Sequence, residues 1–280
     1  MWLTDGAVML VGMPLSAEDV RQLARELFDA EQSGTPIEPI SKRHPTADVD
    51  DAYRIQVEGV RLRTEAGDPV RGHKVGLTAV VMQQQFGVDT PDFGQLHASM
   101  FHVEGTPLST SELIAPRVEP EVGFVLKRPL RGPGVTVSDV LSATEFLVPT
   151  LEIIDSRIRD WQIGIVDTIA DNASSALVVL GGNRTQLSDI DPRLIGVTLR
   201  SNGEVIETGT SAAALGNPVS VVAWLANTVA AYGRGLDEGD LILPGSCTRA
   251  VPLVPGQTIR ADFDVLGHVS VSFTKVLEAV

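Results

Sequence analysis

From Val70 to the C-terminus the chain is a succession of short apolar runs cut by Gly- and Pro-containing turns, and this punctuation narrows the folds open to it. The spacing predicts strands over 70–77, 116–126, 147–154, 176–180, 197–199, 240–243, 258–263 and 269–273. The regular strand–helix alternation of a parallel α/β sheet is missing, as is any internal repeat or low-complexity tract. One helix interrupts the pattern, with Asn217 as N-cap, Pro218 at the first position, Val221, Leu225 and Val229 inward and Gly233 as the stop. Asn202-Gly203, between Ser201 and Glu204, spells a hairpin turn.

Ahead of Val70 the apolar period lengthens to that of a helix. Ser16-Ala17-Glu18-Asp19 resembles a capping box with Asp at the third helical position, and the helix it opens runs to about Gln32 with Val20, Leu23, Leu27 and Ala30 on one face. A second helix starts near Asp50, carries Tyr53, Val57 and Val60, and ends by Gly67. The expected organisation is α+β: an extra, poorly ordered leader over 1–15, a helical N-terminal lobe over 16–68 and a β-rich domain over 69–280. The apolar stretch from Ala7 to Leu15 is short, lacks a basic flank and contains Gly12 and Pro14, so it does not read as a signal peptide. No segment reaches the roughly 20 apolar residues of a membrane helix.

With 36 acidic against 22 basic residues the net charge is −14, and no basic run offsets it. Nucleic acid is excluded as a partner, because phosphate neutralisation needs clustered Lys and Arg. Cys247 stands alone, so no intrachain disulfide forms, which fits a reducing, cytoplasmic compartment.

The chemistry concentrates in Arg117-Val118-Glu119-Pro120-Glu121-Val122-Gly123-Phe124-Val125-Leu126. On a strand, Glu119 and Glu121 project to one face while Val118, Val122, Phe124 and Leu126 take the other. Either they are two glutamates on a solvent face, or their repulsion near a core is neutralised by a hard divalent cation. Glu152 lies inside Phe146-Leu147-Val148-Pro149-Thr150-Leu151-Glu152-Ile153-Ile154, too apolar to face solvent, so it is either a third ligand or the partner of an arginine such as Arg157. Lys74, in a short apolar strand, is either a substrate or proton-transfer lysine or an edge lysine in water. His73 falls on the opposite face as a structural residue. Pro91-Asp92-Phe93-Gly94 reads as a turn. The polar runs Asp171 to Ser175 and Gly245 to Arg249 either bind an anion or cap local structure. Cys247 has no histidine near it in sequence to make it a nucleophile, and Gly181-Gly182 lacks phosphate-loop spacing.

These blocks, together with Gly72-His73-Lys74-Val75-Gly76-Leu77-Thr78, Gly87-Val88-Asp89-Thr90-Pro91-Asp92-Phe93-Gly94, Asp167-Thr168-Ile169-Ala170-Asp171-Asn172-Ala173-Ser174-Ser175, Leu215-Gly216-Asn217-Pro218 and Pro244-Gly245-Ser246-Cys247-Thr248-Arg249-Ala250, resemble a known family. It is that of the 2-keto-4-pentenoate (2-hydroxypenta-2,4-dienoate) hydratases and 4-oxalocrotonate decarboxylases, in the fumarylacetoacetase-like superfamily. The resemblance spans about Ser16 to Phe273, and Asp92 within its block is closer to the hydratases. It implies a fumarylacetoacetase-like domain of mixed sheets (a β-roll or sandwich), Mg²⁺ or Mn²⁺ held by Glu119, Glu121 and Glu152, and Lys74 and Asp92 as catalytic groups. It further implies Leu77, Ser174, Ser246 and Thr248 against the substrate. The implied reaction hydrates 2-hydroxypenta-2,4-dienoate or 2-hydroxyhexa-2,4-dienoate to a 4-hydroxy-2-oxo acid in aromatic or steroid meta-cleavage catabolism, by a homo-oligomer associated with another enzyme of the pathway. Its rivals are decarboxylation of 2-oxo-3-hexenedioate, acylpyruvate hydrolysis, and a non-catalytic partner subunit that binds 2-oxo acids.

Overall fold

The structure, a computed structural model, describes residues 14–79, 83–84 and 87–274. Most of the expected leader therefore lies outside the described residues. Leu15 is buried, and both carboxylate oxygens of Asp51 accept its N–H, at 3.1 and 3.2 Å.

Three helices, α1 (Ala17–Ser33), α2 (Ile40–Arg43) and α3 (Val49–Glu65), make up the N-terminal part. The Ser16–Asp19 capping box forms as expected, a device contributing about 1 kcal/mol. The face of Val20, Leu23, Leu27 and Ala30 packs against α3. Strands follow in the order β1 (Val70–Gly76), β2 (Asp92–His97), β3 (Phe101–Val103), β4 (Arg117–Leu126), β5 (Thr144–Ile154), β6 (Ser175–Leu180), β7 (Gly196–Ser201), β8 (Glu204–Thr210), β9 (Leu241–Leu243), β10 (Val251–Pro252), β11 (Thr258–Phe263) and β12 (Gly267–Ser272). Among them run α4 (Val137–Ala143), α5 (Ile165–Ala170) and α6 (Pro218–Ala230), the last capped by Asn217 with Pro218 at its first position.

The large sheet runs β2-β1-β9-β4-β5-β6-β3, with β10 also on β4, and a four-stranded sheet β12-β11-β7-β8 packs over β5 and β6. Pairing is mixed: β1–β9 and β3–β6 are parallel, and the long β4–β5 pair is antiparallel. The expected α+β class with mixed sheets is what the chain adopts. Val118, Val122, Phe124 and Leu126 enter the main core with Leu147, Leu151 and Ile153. The opposite face carries a smaller apolar cluster of Leu96, Met100, Val148, Val178, Leu241 and Leu243.

That second face is concave, because the sheet curls until its edge strand β2 meets the turn ahead of β6. There the Asn172 side chain accepts the Gln95 N–H and donates to the Gln95 carbonyl, each at 2.8 Å, doing what a neighbouring strand would do. Gly94 makes the seam possible, since a Cβ there would collide with the Asn172 carbonyl oxygen. Gly94→Ala is expected to cost about 1–3 kcal/mol of stability through this overpacking. Urea denaturation measures it, and an unchanged midpoint would mean that the seam yields freely.

Several elements depart from expectation, and α2, β3 and β10 have no counterpart in the expected spans. Residues 91–94, read as a turn, open β2, whose six residues are all buried. Gly94, Gln95 and His97 break the apolar alternation that announces a strand, because neighbours press on both faces. The helix α4, opened by a capping box of Thr136 and Asp139, was not anticipated.

Candidate active site

Strand alternation and register assemble the acidic cluster. Glu119 stands directly opposite Glu152 across β4 and β5, and Glu121 is two residues along on the same face. One carboxylate oxygen from each of Glu119, Glu121 and Glu152 lies within 4.8 Å of the others. Oxygens on opposite sides of a hard divalent cation, bonded at about 2.0–2.6 Å, lie about 4–5 Å apart, so the cluster matches such an ion. Glu121 is 1% and Glu152 0% exposed, and Glu119 is half-buried. Neither oxygen of Glu152 has a hydrogen-bond partner among the described residues, whereas Glu121 Oε2 accepts the Gly245 N–H at 2.8 Å. Burial, then the charge of Glu152, pushes the Glu119 carboxyl up to about 7 and that of Glu121 well above the carboxylate range. Three converging carboxylates, two of them buried and the third half-buried, with unused lone pairs are what a divalent cation requires and what an empty core disfavours.

Lys74 faces the cluster. Its ammonium lies 3.4 Å from Glu152 Oε1 and donates to the Ala173 carbonyl at 3.0 Å. Burial alone would lower its pKa, but Glu152, Glu119, Asp92 and Glu121 together drive it above the ordinary lysine value. The arginine considered as the alternative partner of Glu152 is engaged elsewhere: Arg157 pairs with Asp171 at 2.5 Å. Asp92 lies on the Lys74 face of the sheet, opposite Gly76 in the β1–β2 pair. It is 1% exposed, its Oδ2 accepts from Thr168 Oγ1 at 3.3 Å, and its Oδ1 has no partner among the described residues. Burial raises its carboxyl, against the pull of Lys74.

The carbonyl that receives Lys74 comes from an unusual turn. Asn172, Ala173 and Ser174 all adopt left-handed φ, at 53°, 51° and 55°, although none is glycine. Each such residue costs about 1–2 kcal/mol, so the surrounding contacts must hold the turn in place. Ser174 is buried, and its hydroxyl has no hydrogen-bond partner among the described residues. Leu77, also left-handed at φ 55°, ends β1 and receives Gln83 Nε2 on its carbonyl at 2.9 Å. Ser246 and Thr248 are placed less directly. The Ser246 hydroxyl accepts the Thr248 N–H at 3.3 Å, and the Thr248 hydroxyl donates to the Arg249 carbonyl at 3.0 Å, so their loop reaches the cluster through Gly245. His73 is buried on the opposite face beside Asp240, at 3.7 Å, and burial lowers it to about 4. Cys247 is buried too, which pushes its thiol up and removes it as a nucleophile. Thr168 and Gln56, discussed below, carry no sequence signal of their own.

The chain is 43% identical over 256 residues to the 2-keto-4-pentenoate hydratase of Burkholderia vietnamiensis, covering 91% of this chain and 98% of that one. It is 40% identical over 260 residues to a 4-oxalocrotonate decarboxylase of Pseudomonas putida, covering 92% and 98%. A solved structure of 4-oxalocrotonate decarboxylase from Pseudomonas putida G7, complexed with magnesium and adipate, aligns with a TM-score of 0.90 at 38% identity, covering 92% of this chain and 98% of that one. Residues 70–274, which hold every strand and the whole acidic cluster, match the model of one family, and the chain belongs to it: the fumarylacetoacetate (FAA) hydrolase C-terminal family.

Proposed function

We propose that the chain is a hydro-lyase that adds water to 2-hydroxypenta-2,4-dienoate or 2-hydroxyhexa-2,4-dienoate, giving a 4-hydroxy-2-oxo acid in the meta-cleavage catabolism of aromatic or steroid rings. The observation that carries this reading is the buried three-glutamate cluster beside one ammonium and one partnerless carboxyl, in a chain 43% identical to a named hydratase. Glu119, Glu121 and Glu152 would hold Mg²⁺ or Mn²⁺, which when bound offsets their charge and stabilises negative charge at the substrate C2 oxygen.

The other groups act around that centre. Lys74, whose ammonium lies 3.4 Å from Glu152 Oε1 on the same face, serves as a cation and donor for the substrate carboxylate. Its ammonium donates to the Ala173 carbonyl and stands in ion-pair range of Glu152, which leaves N–H groups for substrate. Asp92, raised by burial, takes the proton-transfer role. Its carboxyl gives a proton to C5 as the dienol becomes a 2-oxo-3-enoate, then recovers one from the water that adds at C4. The proton released from the C2 hydroxyl is balanced by the one gained at C3. Ser174, with its free hydroxyl, and Leu77 line the substrate side, with Ser246 and Thr248 behind them. A cytoplasmic homo-oligomer belongs to the same reading, on the strength of the family alone. Among the described residues no helix is long and apolar enough to cross a membrane.

The test supplies enzymatically generated dienols of both chain lengths, and 2-oxo-3-hexenedioate, to chelator-treated protein with and without Mg²⁺. Mg²⁺-dependent loss of dienol absorbance with formation of the 4-hydroxy-2-oxo acid is expected. Release of CO₂ without hydration would favour the decarboxylase reading, for which the 38% identical structure is the specific observation. Tight binding of Mg²⁺ and an oxo-acid analogue with no turnover would make the chain a binding subunit.

A further inference from the structure

We infer that Gln56, on the helical N-terminal lobe, is a positioning residue for Asp92. Gln56 lies on α3 and is 1% exposed; its Oε1 has no hydrogen-bond partner among the described residues, so the side chain is held by its Nε2. Its Nε2 donates both protons, to the Phe93 carbonyl at 2.7 Å and to the Ile169 carbonyl at 3.0 Å. Those carbonyls belong to the residues that follow Asp92 and Thr168 in the chain. Phe93 follows Asp92 on β2, and Ile169 follows Thr168, whose hydroxyl donates to Asp92 Oδ2. One amide thus ties the strand that carries the carboxyl to the helix that orients it.

The location explains why a side chain from another lobe does this. β2 is an edge strand, with β1 on one side only. Asn172 satisfies its outer edge at Gln95, and Gln56 satisfies it at Phe93. One helical turn before Gln56, Tyr53 stacks on the Phe93 ring with centroids 4.7 Å apart and planes 19° from parallel. The helix therefore grips Phe93 by both ring and backbone, next to a buried carboxyl whose Oδ1 has no hydrogen-bond partner among the described residues. Among the described residues the Gln56 amide hydrogen-bonds only to Phe93 and Ile169 and not to the acidic cluster, so its influence on the reaction passes through Asp92.

The inference rests on Asp92 being the proton-transfer group, and the experiment separates the two. Gln56→Met keeps the side-chain length and removes both hydrogen bonds. Displacing a reacting group by about 1 Å costs up to about 10²-fold, so kcat should fall about 10- to 100-fold. KM and the Mg²⁺ dissociation constant, read by calorimetry on the same protein, should be unchanged, whereas a loosened fold would shift all three. In an Asp92→Asn background the same substitution should cost less than about 2-fold, because coupled sites are non-additive. Full kcat in Gln56→Met, or an equal loss in both backgrounds, overturns the inference. Full kcat in Asp92→Asn alone overturns the assignment of Asp92, and this inference with it. Should Gln56→Met fail to fold, Gln56→Asn keeps an amide there but draws it back by one methylene, and the same losses are expected of it.

Discussion

Glu152→Gln is expected to lower kcat/KM at least about 10³-fold while leaving the fold intact, because Lewis-acid stabilisation contributes several kcal/mol and each 1.36 kcal/mol is a factor of ten. The substitution is nearly isosteric in a fully buried position, so packing against β6 is kept. What changes is the charge and the number of anionic ligands, since both oxygens of Glu152 are otherwise without hydrogen-bond partners. Mg²⁺ affinity should fall with activity when followed by calorimetry, and circular dichroism should match the wild type. Full turnover in chelator-treated buffer would remove the cluster from the mechanism.

The largest effect on stability is expected at Arg157. Its guanidinium pairs with Asp171 and also donates to the carbonyls of Asp155, Ser175 and Asp171 at 2.7, 2.8 and 2.5 Å. Both partners of the pair are buried. Arg157→Ala leaves the Asp171 charge and three carbonyls without their donor, and breaking a buried pair in this way costs about 3–5 kcal/mol. Arg157→Lys should rescue little, because one ammonium cannot reproduce the planar fork that reaches four acceptors. Guanidinium-induced unfolding reads both variants, and a loss under about 1 kcal/mol for the alanine would contradict the account. Since Asp171 opens the left-handed turn, activity of the folded fraction should drop as well.

What the sequence discloses follows the range of the forces involved. Strands such as β5 and β11 show themselves because a short apolar run, in β5, and a period of two, in β11, are local properties, and the helix caps at Ser16 and Asn217 are equally local. Period two also puts Glu119 and Glu121 on one face. The register that sets Glu119 opposite Glu152 is tertiary, and so is the choice of Lys74 over Arg157 as the neighbour of Glu152. β2 went unseen because a strand enclosed on both faces and closed by side chains needs no alternation, and it uses glycine where the seam is tightest. The turn at Asn172, Ala173 and Ser174 is silent for a different reason. Only Asn is at ease with left-handed φ, so nothing in Ala173 or Ser174 announces the conformation that the Arg157–Asp171 pair and the Asn172–Gln95 bonds impose. Gln56 is illegible in the same sense, as an ordinary helix residue whose partners lie 37 and 113 positions away.

All three metal-ligand candidates come from one antiparallel pair, β4 and β5, while Lys74, Asp92 and Gln56 come from β1, β2 and α3. On the proposed assignment, cation binding and proton transfer are therefore carried by separate elements of the chain. The hairpin-like pair can be held constant while the strands and helix facing it are exchanged, and a library confined to residues 50–97 would search new reactions on an unaltered ion site.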